Sequence, residues 1–233
     1  QLSRCAGGVV GAAKADGNYG AQIDPTNLAQ ETGFQQIIWT DSNDHKSLEE
    51  AGTMNVFFRI NDTLITAPVS DRILDGVTRK SILDIAKHNG ISTEVRKLSV
   101  DELISAKKEG SLKEIFGSGT AAVVSFISHF GYKDVVYELP EVQDSYAVSF
   151  KKQLIDIQYN KAEDPFGWRV QVNGFKNEDS IDDINGTNPY PMEYIYGESC
   201  EMATSWPTSG WTRLQRALMT AVTVLVVAIP EGV

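Results

Sequence analysis

Between residues 34 and 160 the apolar positions change spacing several times, and each change marks an element. "FQQIIWTD" (34–41) is a short apolar run that predicts a strand. "MNVFFRI" (54–60) and "TLITAP" (63–68) are strand-like runs separated by Asn61 and Asp62, residues suited to a tight turn, so they predict a β-hairpin. "RKSILDIAKHNG" (79–90) has apolar residues at 82, 83, 85 and 86 and stops at Asn89-Gly90, a helix C-terminal signal. "TEVRKLSV" (93–100) alternates enough for a strand. Its Ser99 stands three residues before Glu102, the capping-box spacing for a helix "DELISAKK" (101–108) that Gly110 closes. "KEIFGSGTAAVVSFIS" (113–128) reads as strand, glycine turn, strand, and "DVVYEL" (134–139) as another short strand. Tyr146, Phe150, Leu154 and Ile157 mark one face of a helix over about 142–160, and a strand is expected around Trp168. The mixture predicts an α/β mixed (α+β) fold.

The pattern changes at about residue 173. Residues 1–172 are expected to form one domain and 173–233 a tail of uncertain origin, rich in Asn, Asp, Gly, Pro and Ser up to Gly210. "ALMTAVTVLVVAI" (217–229) is apolar apart from two threonines, but shorter than the roughly 20 residues that span a bilayer. A buried segment or a truncated span fits it, and membrane contact stays open. Its continuation "AIPEGV" resembles a transmembrane segment of P-type cation pumps. Gln1 in place of Met is what a piece of a longer chain would show.

Charge narrows the partners. Across 233 residues the formal net charge is -10, which argues against a nucleic-acid backbone as the main partner. Any phosphate must then be held locally. Cys5 and Cys200 lie far apart without CxxC spacing, so neither a zinc site nor a disulfide framework is indicated and a cytoplasmic location is expected. His45, His88 and His129 suit scattered surface positions, and no metal is expected.

Four segments carry candidate chemistry. "GAAKADGNYG" (11–20) surrounds Lys14 with small residues, which leaves room for its amine to bond a flat cofactor; a surface lysine in a glycine-rich loop has the same spacing. "EEAGTMN" (49–55) sets acids before a glycine and a strand, where a carboxylate could reach a pyridinium nitrogen or simply be solvated. "LDGVTRKSILD" (74–84) leads through Gly76-Val77-Thr78 into a helix N-terminus that would favour a phosphate, unless Thr78 is an ordinary cap. "FGSGTAA" (116–122) is a glycine turn whose N–H groups and Thr120 hydroxyl could face an anion, or a plain hairpin turn.

In this order, from Arg4 to about Trp168, "RCAGGVVGAAKADGNYG", "EAGTMNVFF", "ILDGVTRKSILDIA", "EIFGSGTAAVVS" and "LIDIQY" resemble the branched-chain amino acid aminotransferases. These are class IV, fold type IV pyridoxal-phosphate enzymes. The resemblance implies the C-terminal, lysine-bearing domain of the D-amino acid aminotransferase-like fold. A smaller N-terminal domain of relatives, with the arginine that grips the phosphate, has no counterpart here. It implies Lys14 as the Schiff-base lysine, Tyr19 on the cofactor's phenolic oxygen and Glu50 on its ring nitrogen. Val77, Thr78 and Thr120 would hold the phosphate, Thr120 and Ala121 the substrate carboxylate, and Met54 would line the side-chain pocket. Val9 stands where the family usually has a glycine. The activity implied is transamination of leucine, isoleucine and valine with 2-oxoglutarate, by a homodimer when complete. Within the same fold, a D-amino acid aminotransferase or aminodeoxychorismate lyase shares the lysine and the phosphate turns. An inactive or membrane-attached fragment is the reading from a different class.

Overall fold

A computed structural model describes residues 4, 5, 7, 8 and 11–169. Val9, the change of character at 173 and the apolar run 217–229 lie outside the described residues. The chain divides into two compact units, one ending at Leu154 and the other starting at Ile155.

The first unit is built on an eight-stranded sheet. Its hub is the predicted hairpin: β3 (Met54–Ile60) pairs antiparallel with β4 (Thr63–Thr66) across Asn61, whose φ of 52° makes the turn. On its other side β3 pairs with β7 (Leu112–Gly119), which turns back into β8 (Val123–Ile127). The tight 52–53 turn joins β3 to β2 (Ser47–Ala51), next to β1 (Ile38–Thr40). The run at 34–41 therefore yields only three residues of strand. "SLEEA", not anticipated as an element, is a full one. The expected strand at 93–100 splits in two: β5 (Ser92–Val95) runs parallel to β4, and β6 (Leu98–Ser99) pairs with β2.

Strand alternation separates the two faces of this sheet. Val56, Phe58 and Ile115 join Leu48, Leu98, Leu103 and Ala106 in one buried cluster, so α4 (Val100–Glu109) covers that face. Ser99 caps α4, its Oγ accepting from the Glu102 N–H at 3.1 Å. The Glu102 carboxylate completes no capping box and instead pairs with Arg96 at 2.7 Å. On the other face Phe57 stacks on Phe116, with ring centres 5.2 Å apart, and Phe116 meets Phe150 of the helix α5 (Tyr146–Gln158) at 6.2 Å. Here α3 (Val77–His88) lies against β5 and β7 and buries Ile82 and Ile85 completely. Arg59, opposite Glu114, closes this face: the pair is 3.1 Å apart, and Glu114 also accepts from the Tyr146 N–H at 2.9 Å, which caps α5.

The short helix α1 (Asp16–Gly20) and α2 (Ile23–Glu31) precede the sheet, and β9 (His129–Tyr132) with β10 (Val135–Glu138) forms a separate ribbon. In the second unit the described residues hold the end of α5 and an irregular segment. Up to Arg169, the last described residue, no strand forms by Trp168, which stacks on Phe166 with ring centres 4.2 Å apart. Among the described residues no helix is long and apolar enough to cross a membrane.

Candidate active site

A cleft of about 240 Å³ opens beside the β2–β3 turn, and its lining includes Lys14, Tyr19, Glu50, Val77, Thr78 and Thr120. Those six expected residues come from four separate stretches of chain. Each is delivered by local structure.

Lys14 precedes α1 and is exposed at the cleft. Asn18, buried one turn later, steadies that loop: its Nδ2 donates to the Ala13 carbonyl at 3.1 Å and its N–H to that of Ala15 at 3.0 Å. The small residues before Lys14 have a second reason. A Cβ at Gly11 would stand 2.5 Å from the Arg72 Cα and 2.6 Å from the Asp71 carbonyl oxygen, so only glycine lets the lysine loop cross the 71–72 backbone.

Glu50 is 4% exposed, which excludes a solvated loop acid. Its Oε1 accepts from Asn55 Nδ2 and from the Leu74 N–H, both at 3.0 Å, and its Oε2 pairs with Arg4 Nη2 at 2.8 Å. Burial dominates nonetheless: it pushes the Glu50 pKa up to about 7 against the pull of Arg4 and the Leu74 N–H. Glu49, the neighbouring acid, is absent from the cleft and is paired with Arg72 Nε at 2.8 Å. That guanidinium is held above its ordinary pKa chiefly by the Glu49 hydrogen bond.

Val77 and Thr78 begin α3, with Gly76 as its N-cap, so Thr78 is not the cap. No side chain caps this twelve-residue helix and no acid stands in its first turn, which leaves the N-terminal field open to an anion from the cleft. Thr120 follows β7 in the turn to β8, so "FGSGTAA" is both a hairpin turn and a wall of the cleft.

Two expected residues lie elsewhere. Ala121 does not line the cleft. Met54 alternates with Asn55 on β3, so it faces the other side of the sheet and lines a separate cavity of about 380 Å³ with Phe34, Ile38, Leu103 and Phe130. Its thioether rests against Gly117, where a Cβ would be 2.8 Å from the Met54 Cε.

Conversely, the cleft contains residues that the motif reading passed over: Arg4, Thr53, Asn55, Asp75 and Ser118. Strand register explains two of them, since Glu50 stands opposite Asn55 and Asn55 opposite Ser118. The Ser118 side chain is 1% exposed and its Oγ has no hydrogen-bond partner. A buried orphan hydroxyl facing a cleft is a donor ready for a ligand.

Comparison with known proteins follows the same residues. Residues 11–130 match the family Amino-transferase class IV. Branched-chain-amino-acid aminotransferase 2 of Bacillus subtilis is 38% identical over 176 residues, covering 74% of this chain and 48% of the relative. The chain thus spans about half the length of the relatives it matches. Among solved structures, Escherichia coli branched-chain amino acid aminotransferase superposes with a TM-score of 0.60 at 27% identity, over 74% of this chain and 54% of that one. The branched-chain aminotransferase of the archaeon Thermoproteus uzoniensis, solved with norvaline, shares the fold at 24% identity and a TM-score of 0.52, over 63% of this chain and 44% of that one. Lys14, Glu50 and the open end of α3 all fall inside the matched family region, and the chain belongs to the class IV amino-transferases.

Proposed function

We propose that this chain carries the lysine-bearing, C-terminal domain of the D-amino acid aminotransferase-like fold, and that the protein transfers the amino group of branched-chain L-amino acids to 2-oxoglutarate with pyridoxal 5'-phosphate. The observation that carries the reading is the convergence of Lys14, Tyr19, Glu50, Val77, Thr78 and Thr120 on one cleft. Similarity to branched-chain aminotransferases favours that substrate class over the other activities of the fold.

The donor set fits the cofactor. A primary amine stands at Lys14, a buried carboxylate at Glu50, and an uncapped helix end with the Thr78 and Thr120 hydroxyls at the Val77 side. The orphan Ser118 hydroxyl adds one more donor to the lining. When bound, pyridoxal 5'-phosphate supplies a reactive carbonyl and a pyridine ring that withdraws electrons from the substrate α-carbon. The side chains do the rest. The Lys14 amine would be the group that holds the cofactor covalently and, when free, would take the proton from the substrate α-carbon. Tyr19 would donate to the cofactor's phenolic oxygen. Glu50 would accept from its ring nitrogen and keep that proton in place, and the α3 amides with both threonines would hold its phosphate. Thr120, on the cleft wall, would receive the substrate carboxylate.

Borohydride reduction of the full chain incubated with pyridoxal 5'-phosphate tests this. The pyridoxyl adduct should map to the peptide carrying Lys14. An adduct on another lysine, or none, would overturn the assignment.

A further inference from the structure

We propose that Asn55 is a positioning residue that sets the two ends of the cofactor site relative to each other; the inference rests on the function proposed above. Its amide has two N–H bonds, and the fold uses both. Nδ2 donates to Glu50 Oε1 at 3.0 Å and to the Leu74 carbonyl at 2.9 Å. The Leu74 N–H returns to the same Glu50 oxygen at 3.0 Å, so the carboxylate, the amide and the backbone of one residue, Leu74, close a ring. The oxygen of Asn55 lies against Gly76, where a Cβ would stand only 2.2 Å from it.

Gly76 is the N-cap of α3, and the Leu74 carbonyl that Asn55 grips also accepts from the Gly76 N–H at 2.9 Å. The backbone at Gly76 has φ -67° and ψ 134°, which any residue can adopt. Glycine is needed there for space alone, and Asn55 takes that space. One rigid amide, on a central strand, thus spans from the carboxylate that meets the ring nitrogen to the loop that presents the α3 amides to the phosphate. No smaller side chain reaches both, and aspartate, the same shape, has no N–H to donate.

The test is a double-mutant cycle on the full chain with Asn55→Ala, Gly76→Ala and their combination, read by absorbance titration with pyridoxal 5'-phosphate well below the unfolding temperature. Asn55→Ala should weaken binding about tenfold or more, as expected for losing a donor to a charged group. Gly76→Ala should weaken it too, because its methyl displaces the Asn55 amide. Once that amide is gone the methyl has room, so the double variant should bind no worse than Asn55→Ala. Asn55→Asp should fail as Asn55→Ala does, although it keeps the shape. Multiplicative losses in the double variant, or unchanged affinity in Asn55→Ala, would overturn the inference, whatever happens to melting temperature.

Hydrogen exchange at the Leu74 amide reads the same strut without cofactor. Asn55→Ala should lower its protection, and unchanged protection overturns the positioning role by itself. Should the unmodified chain bind no cofactor, the proposed function falls, and Leu74 protection still decides whether Asn55 fixes this loop. If Asn55→Ala does not fold, Gly76→Ala and Asn55→Ser carry both measurements.

Discussion

Replacing Glu50 by glutamine isolates the titration of one buried carboxyl. Burial raises its pKa from 4.5 to about 7, the opposing pull of Arg4 notwithstanding. Between those values the folded protein holds a proton on Glu50 that the unfolded chain has released. A folded-state pKa raised above the unfolded one gives stability that is fully present below pH 4.5 and is lost as pH climbs through about 7. At about 1.4 kcal/mol per pH unit, the loss across that window is about 3 kcal/mol. Glutamine does not titrate, and Arg4 stays charged throughout. Whatever Glu50→Gln costs by leaving Arg4 without its carboxylate is therefore a constant offset that does not touch the pH dependence.

The measurement is the unfolding free energy of both proteins in urea, free of cofactor, from about pH 4 to about pH 8.5, a range that brackets both pKa values. The advantage of the unmodified protein over Glu50→Gln should shrink by about 3 kcal/mol from the acid to the alkaline end. A constant difference would mean that Glu50 titrates as it does in the unfolded chain. A difference that grows with pH would mean that Arg4 outweighs burial, and the reasoning would be refuted. Pyridoxal 5'-phosphate should compress the effect, since a cationic ring beside Glu50 pulls its pKa back down.

Two further substitutions separate structure from site. Ser118→Ala removes a buried hydroxyl that has no partner, so the cofactor-free protein should gain up to about 1 kcal/mol in a urea titration, and a loss would show that Oγ is satisfied in solution. Arg59→Met strands Glu114 in the core beneath α5. It should cost about 3–5 kcal/mol with a matching fall in melting temperature, and a cost below about 1 kcal/mol would mean that the Arg59 network contributes little.

What could be read from the chain beforehand divides by range. The β3–β4 hairpin, the Ser99 cap and the end of α3 at Asn89 rest on residues within a few positions of one another, and the structure shows all three. The strand expected at 93–100 divides because its two halves answer to different partners. Residues 92–95 follow β4 while Leu98 and Ser99 follow β2, and nothing local announces the bend at Arg96. The ribbon of β9 and β10 is half legible for a related reason: "HFGY" carries too few apolar residues to read as a strand until it pairs.

The cleft obeys the same rule with a sharper consequence. Lys14, Glu50 and Thr78 sit in stretches whose glycines mark a tight turn at Gly52 or a close approach of the chain at Gly11 and Gly76, so the chain announces them. Asn55 and Ser118 sit inside strands that read as ordinary apolar runs, and their polarity makes sense only across the sheet. Glu50, Asn55 and Ser118 are opposite one another on β2, β3 and β7. Two residues further along, the same face of β3 and β7 carries stacked Phe57 and Phe116, and two further the pair Arg59 and Glu114. The polar residues at either end of this ladder differ in what completes them. At the far end α5 supplies the Tyr146 N–H to Glu114, and the fold is satisfied from within. At the cleft end Ser118 is left without a partner and Glu50 is held near the point of losing its proton. An unsatisfied end on an otherwise satisfied ladder is where a bound group would contribute most, because it would meet polar atoms already buried and already oriented.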